Sequence, residues 1–135
     1  MLNSIIYHTM KELGYSAEEC AKGAMTVQRN QMQSAVGGND LTNCFGMSIE
    51  VKRQETLSVP QWWRQCCAAA ERNNEMPVLM YRQNRKAWHV RTYGWINLPN
   101  NKHIQAEVEF DIDTFKTWFR NWVKEKLIIG TEVRV

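Results

Sequence analysis

The chain has no run near the roughly 20 consecutive apolar residues that a membrane helix needs. Residues 1–10 also lack a basic flank, an apolar stretch and a small-residue cleavage site in leader-peptide order. These absences predict a cytoplasmic protein that does not insert into a membrane. Cysteine is sparse: Cys20, Cys44, Cys66 and Cys67 form no C-x-x-C pair and have no histidine at zinc spacing. Adjacent Cys66 and Cys67 would make a poor structural disulfide. A zinc scaffold and a disulfide framework are therefore both excluded, and buried reduced thiols are expected. The three histidines, His8, His89 and His103, show no ligand spacing either, and His89 next to Trp88 reads as structural. There is no internal repeat and no low-complexity tract.

What is present is enough for one domain. The 135 residues are 44% hydrophobic and include six tryptophans. A packed globule with a single core follows, with most indoles in that core or at a subunit contact. The net charge of +3 permits a nucleic-acid partner without demanding one.

Hydrophobic periodicity predicts a helix over Ile5 to Leu13, stopped by Gly14. A short one from Ser16 follows, with Glu19 three residues on in a capping-box pattern. Met25 to Asn39 is polar and ends in Gly37-Gly38, which predicts loop or irregular strand. Gly46 to Arg53 alternates: Met47, Ile49 and Val51 take one side, Ser48, Glu50 and Lys52 the other. Ser58 and Pro60 open a helix to about Arg72. Pro77 to Arg82 and Ala87 to Thr92 read as a hairpin, and Tyr93 to Lys102 as loop. A strand over Ile104 to Phe110 comes next. A last helix to about Leu127, capped by Asp111 or Asp113, carries Phe115, Trp118, Phe119 and Trp122, read as core. The order is α, β, α, β, β with a C-terminal strand–helix addition. It forms one domain over 1–135, with its core at about 1–92 and an extension at 93–135.

The chemistry concentrates in Asp40, Glu50 and Lys52. Glu50 and Lys52 are two apart on one strand and share a face, with Val51 pointing into the core between them. Asp40 stands just before the strand, behind a glycine pair that lets its loop fold back. Two carboxylates and an amine are what phosphodiester hydrolysis asks for. The carboxylates hold a Mg²⁺ that screens the anionic phosphate, and the lysine orients water. An E-x-K triplet alone is weak and is commonly a surface ion pair. The upstream Asp and the strand-then-helix order strengthen it.

The segments Gln33 to Asp40, Ile49 to Arg53, Pro60 to Gln65 and Met76 to Arg82 together resemble the PD-(D/E)XK nuclease superfamily. Within it they are most similar to the Holliday-junction-resolvase-like proteins that many phages encode. The resemblance implies an α/β, restriction-endonuclease-like mixed β-sheet flanked by helices. It implies Asp40, Glu50 and the Val51 carbonyl as metal ligands, Lys52 as the water-positioning residue, and Gln65 as a polar residue beside the site. The cofactor would be Mg²⁺, with Mn²⁺ as a substitute, and the active form a homodimer on four-way or otherwise branched DNA. If a phage encodes the chain, its compartment is the host-cell cytoplasm. One departure is visible. The family's first helix usually carries a glutamate at the site, and here only Glu12 or His8 could substitute.

Arg29, Arg53, Arg82, Arg85 and Lys86 flank the site in sequence and are candidates for DNA phosphate contacts, the hairpin tip Arg85-Lys86 best placed. Trp62 and Trp63, adjacent on a helix, point apart, which predicts one in the core and the other at a dimer contact. Two functions remain in view: a metal-dependent endodeoxyribonuclease, and a catalytically impaired nuclease-fold module that binds DNA or regulates.

Overall fold

A computed structural model describes residues 1–25 and 41–133, with side chains described for 1–25 and 45–129. Helix α1 spans Leu2–Glu12 and buries Leu2, Ile6, Thr9 and Met10. It ends where Gly14 takes φ +90. There the Gly14 and Tyr15 amides donate back to the Lys11 and Met10 carbonyls, closing the last turn in a Schellman pattern. Helix α2 begins at residue 17 and runs to 25, the end of the described stretch. The capping box expected there is formed: the Ser16 amide donates to Glu19 Oε1 at 3.1 Å, and the Glu19 amide to Ser16 Oγ at 3.2 Å.

Five strands form one mixed sheet in sequential order. They are β1 (Leu41–Cys44), β2 (Met47–Gln54), β3 (Met76–Gln83), β4 (His89–Asn97) and β5 (His103–Asp111). Only β2 and β3 run parallel, and α3 (Val59–Asn73) makes the crossover between them. Asn74 at φ 53 ends α3 and swings the chain straight into β3. Helix α4 (Ile112–Val133) follows β5. Of the two capping candidates, Asp111 does it, accepting the Thr114 amide at 2.7 Å.

Helices lie on both faces of the sheet, while the far ends of β4 and β5 stay exposed, with Trp95 and Ile104 open to solvent. On one face, α1 and α4 enclose a core of Ile6, Met10, Met47, Ile49, Val78, Val90, Phe115 and Phe119, as the alternation of β2 predicts. On the other, α3 lays Trp62, Trp63 and Cys66 over Leu79 and Tyr81. Both indoles are buried inside the chain, which corrects the expected split between core and dimer contact. Trp62 packs on Tyr81 at 6.3 Å between centroids and Trp63 edge-on to Tyr93 at 5.5 Å, one on each side of the helix's inner face.

Three further differences have clear causes. Strand β1 carries no sequence signal because its hairpin turn is Phe45-Gly46, with φ 53 and 84. Phenylalanine is an unusual occupant of that left-handed position. The Trp122 indole fixes it by donating to the Phe45 carbonyl at 2.7 Å. Tyr93 to Asn97 is strand rather than loop. Gly94 sits there because a Cβ would meet Val108 at 3.0 Å, and the adjacent asparagines 100 and 101 make the turn beyond the strand, at φ 68 and 61. Lastly, α4 continues past Leu127 to Val133.

Candidate active site

Strand β2 sets the site. Met47 and Ile49 point into the α1–α4 core, so Ser48, Glu50 and Lys52 must face α3. Glu50 is only 3% exposed. Lys52 Nζ lies 3.3 Å from Glu50 Oε1, and the lysine side chain reaches solvent. Burying a carboxylate costs several kcal/mol that the pairing only partly returns. A buried carboxylate–amine pair is costly where an apolar residue would pack more cheaply, a placement that functional sites share with structural ion pairs.

The floor beneath this pair is inert. Cys66 Sγ on α3 lies 3.8 Å from the Ser48 carbonyl. Burial first, and then the nearby Glu50 charge, push its thiol up to about 12. It stays protonated at neutral pH and is no nucleophile. Among the described residues Cys20 and Cys66 are free thiols buried as expected, whereas the free Cys67 is half-buried.

The α3 face continues across the sheet. Register places Tyr81 beside Lys52 and His89 beside Tyr81; one row below, Leu79 lies beside Glu50, Arg91 beside Leu79 and Glu109 beside Arg91. Tyr81 Oη donates to Glu109 Oε1 at 2.6 Å, and Arg91 donates to the same oxygen at 3.3 Å. His89 Nδ1 is 3.6 Å from Glu109 Oε2, and its ring stacks on Tyr81 at 5.2 Å. Burial, then the Glu109 hydrogen bond and charge, push the Tyr81 hydroxyl up to about 12, so it remains a donor. None of these four was named as a site residue from sequence. The signal was the alternation His89, Arg91, Tyr93 on one face of β4, whose meaning depends on strand register.

Asp40 and Arg29 lie outside the described residues. Val51 turns its side chain to the α1–α4 core. Gln65 is exposed on α3, and among the described residues no hydrogen bond joins it to Glu50 or Lys52. Glu12 and His8 sit on the opposite side of the sheet from Glu50, in a groove between α1 and α4 lined also by Lys116 and Arg120. Arg53 and Arg82 are register partners whose alternation also turns them away from Glu50. Arg82 lies over the Trp88 ring at 5.0 Å. Arg85 and Lys86 are exposed at the β3–β4 hairpin tip.

A family model described as "Phage putative PDDEXK endonuclease" matches residues 11–129. The chain belongs to this phage PDDEXK endonuclease family. No curated protein and no solved structure matches it. Membership agrees with the α/β architecture, a mixed sheet flanked by helices of the restriction-endonuclease-like kind. PD-(D/E)XK nucleases usually use divalent metals. In this member, the buried Glu50 carboxylate is a hard oxygen donor of the type such ions take. Among the described residues, no group of three or more His, Cys, Asp or Glu side chains is assembled for a metal. Also among them, no helix is long and apolar enough to cross a membrane.

Proposed function

We propose that the chain is a Mg²⁺-dependent DNA endonuclease that hydrolyses phosphodiester bonds in branched DNA such as Holliday junctions. The observation that carries this reading is the buried Glu50 with the Lys52 amine 3.3 Å away, on the strand before α3, in a member of a PDDEXK family. Asp40, Glu50 and the Val51 carbonyl would hold the metal, and Mn²⁺ would serve in its place. A bound divalent ion supplies charge screening at the scissile phosphate. Glu50, held in place by its strand, would bind the ion with little reorganisation. Lys52 reaches from the same face toward solvent, where it orients the attacking water and donates to the charge that develops. Gln65 would border the site from α3. A homodimer would present two such sites to the two-fold symmetry of a four-way junction.

The test is a cleavage assay on junction, flap and duplex DNA with Mg²⁺, with Mn²⁺ and with excess chelator. Junction cutting that chelator abolishes is expected; full activity in chelator would refute the metal-dependent mechanism. A second reading has one observation in its favour. Glu12 and His8 lie across the sheet from Glu50, which leaves the first-helix acid unreplaced. Tight junction binding with no cutting under any divalent metal would establish an impaired nuclease-fold module that binds DNA or regulates.

A further inference from the structure

We propose that two copies of the chain pair their β5 strands antiparallel about a two-fold axis at Gln105, joining two five-stranded sheets into one of ten strands. This gives a surface to the homodimer of the nuclease reading above and rests on that reading for its purpose. Its test reads mass and cross-links rather than cutting, so the two can fail separately. Strand β5 is the last of the sheet, and its outer side has no strand partner among the described residues. The Leu98 amide donates to the Lys102 carbonyl at 2.7 Å, which fixes the way the hairpin's backbone groups face. Alternation from that bond turns the even-numbered groups of β5 in to β4. His103, Gln105, Glu107 and Glu109 therefore present N–H and C=O outward. The strand is nine residues long, in unbroken register with β4 and without proline. Such an edge pairs readily with another strand unless something blunts it. Charge blunts the half that carries Glu107, Glu109 and Asp111, but not the half from His103 to Ala106.

Apolar surface collects at that unprotected half. Trp95 is 65% exposed, Ile104 50% and Ile96 49%, with Leu98 open beside them at the turn. Helix α3 packs chiefly on β2 and β3, and α4 meets β5 at Phe110 through Trp118, so this end stands clear of both. Exposed apolar patches of this kind are interaction surfaces. Charge then selects the occupant and the register. Centred on Gln105, the pairing sets His103 opposite the partner's Glu107, a donor against a carboxylate, and the same contact recurs across the axis. The axis passes through a hydrogen-bonded pair, as the outward groups of Gln105 require. Ile104 falls opposite the partner's Ala106 and diagonal to the partner's Val108. A register centred on Glu107 would oppose like charges. One centred on Ala106 would send His103 to Glu109, which Tyr81 and Arg91 already hold. An axis normal to the sheet keeps each face with its own kind, so Ile96, Ile104 and Ala106 of both copies form one apolar cluster. The acids of β5 disfavour a nucleic-acid strand along the same edge.

The experiment is sedimentation equilibrium of the full chain at micromolar concentration, with thermal unfolding recorded for each variant. Wild type should sediment at twice the monomer mass. Ile104→Lys puts a charge in the apolar cluster and should weaken association at least about tenfold without lowering the monomer's unfolding temperature, since Ile104 is half-exposed. Gln105→Pro removes an outward N–H and spares the β4 ladder, and it should weaken association as well. Cross-linking checks the register. Gln105→Cys with a mild oxidant should give a covalent dimer that wild type does not, because a hydrogen-bonded pair sets its Cα atoms about 5.5 Å apart, within disulfide reach. His103→Cys should not, because its two copies lie about 14 Å apart along the strands. A monomeric wild type would overturn the proposal, and junction cutting by that monomer would leave the nuclease reading intact. A dimer indifferent to both Ile104→Lys and Gln105→Pro would place the interface elsewhere and also overturn it. Cross-linking at 103 as readily as at 105 would overturn the register. A dimer that behaves as expected but cuts no DNA would uphold the β5 pairing and count against the nuclease reading alone.

Discussion

Replacing Lys52 with methionine should separate what the Glu50–Lys52 pair does for stability from what it does for cutting. Methionine keeps much of the side-chain length and removes the amine. Opposite charges 3.3 Å apart attract by about 5 kcal/mol at an effective dielectric of about 20. The lysine is a quarter exposed, and its own desolvation is recovered on removal, so the net is smaller. A coupling of about 1–3 kcal/mol is expected from a double-mutant cycle of Lys52→Met, Glu50→Gln and the combination. Lys52→Met should destabilise more than the double variant does, because it alone leaves the buried carboxylate facing a neutral neighbour. Urea unfolding followed by circular dichroism reads the cycle, and junction cleavage by the same preparations reads function. Each single variant should lose at least ~100-fold in kcat, the scale for removing one preorganised transition-state donor. Coupling below about 0.5 kcal/mol would mean the two side chains do not meet in solution. Folded variants that cut at the wild-type rate would place the chemistry elsewhere.

Further outcomes follow from particular residues. Cys66 and Tyr81 titrate at about 12 in the folded chain and lower when unfolded, so the unfolded state releases those protons first as pH rises. Stability should therefore be whole below about pH 8.5 and fall through the window up to about 12. Urea midpoints measured against pH check this fall, and a rising midpoint would contradict it. Phe119→Ala in the α1–α4 core should cost about 3–5 kcal/mol, seen as a lower thermal midpoint. Gly46→Ala forces a Cβ into φ +84 and should cost about 1 kcal/mol, whereas Gly14→Asn, at φ +90, should cost less because asparagine tolerates that region.

How far the sequence could be read depended on how local each feature is. The face of Glu50 and Lys52 follows from period-two alternation against Met47, Ile49 and Val51, so β2 was legible with its core side. The helix ends at Gly14 and Ser16 were legible for the same reason, since capping uses neighbours in sequence, whereas the cap of α4 was legible only as Asp111 or Asp113. Strand β1 was not, because it is four residues long and turns through a phenylalanine in a left-handed conformation. The far half of β4 was hidden by Gly94, whose reason is a close approach by Val108 from the next strand. Arg53 and Arg82 looked like site neighbours in sequence, yet one-residue steps along a strand reverse the face. The cluster of Tyr81, His89, Arg91 and Glu109 depends on the register of three strands, which no single segment encodes. Trp62 and Trp63 misled because a helix lying over a sheet can bury two adjacent indoles, one to each side.

In the proposed mechanism the carboxyl groups of Asp40 and Glu50 would hold one divalent ion beside the Lys52 amine. A crystal structure of the chain soaked in Mn²⁺, with anomalous data, tests it directly. One anomalous peak within bonding distance of both carboxylates is expected. A peak elsewhere, or Asp40 lying on the other side of the sheet from Glu50, would contradict it.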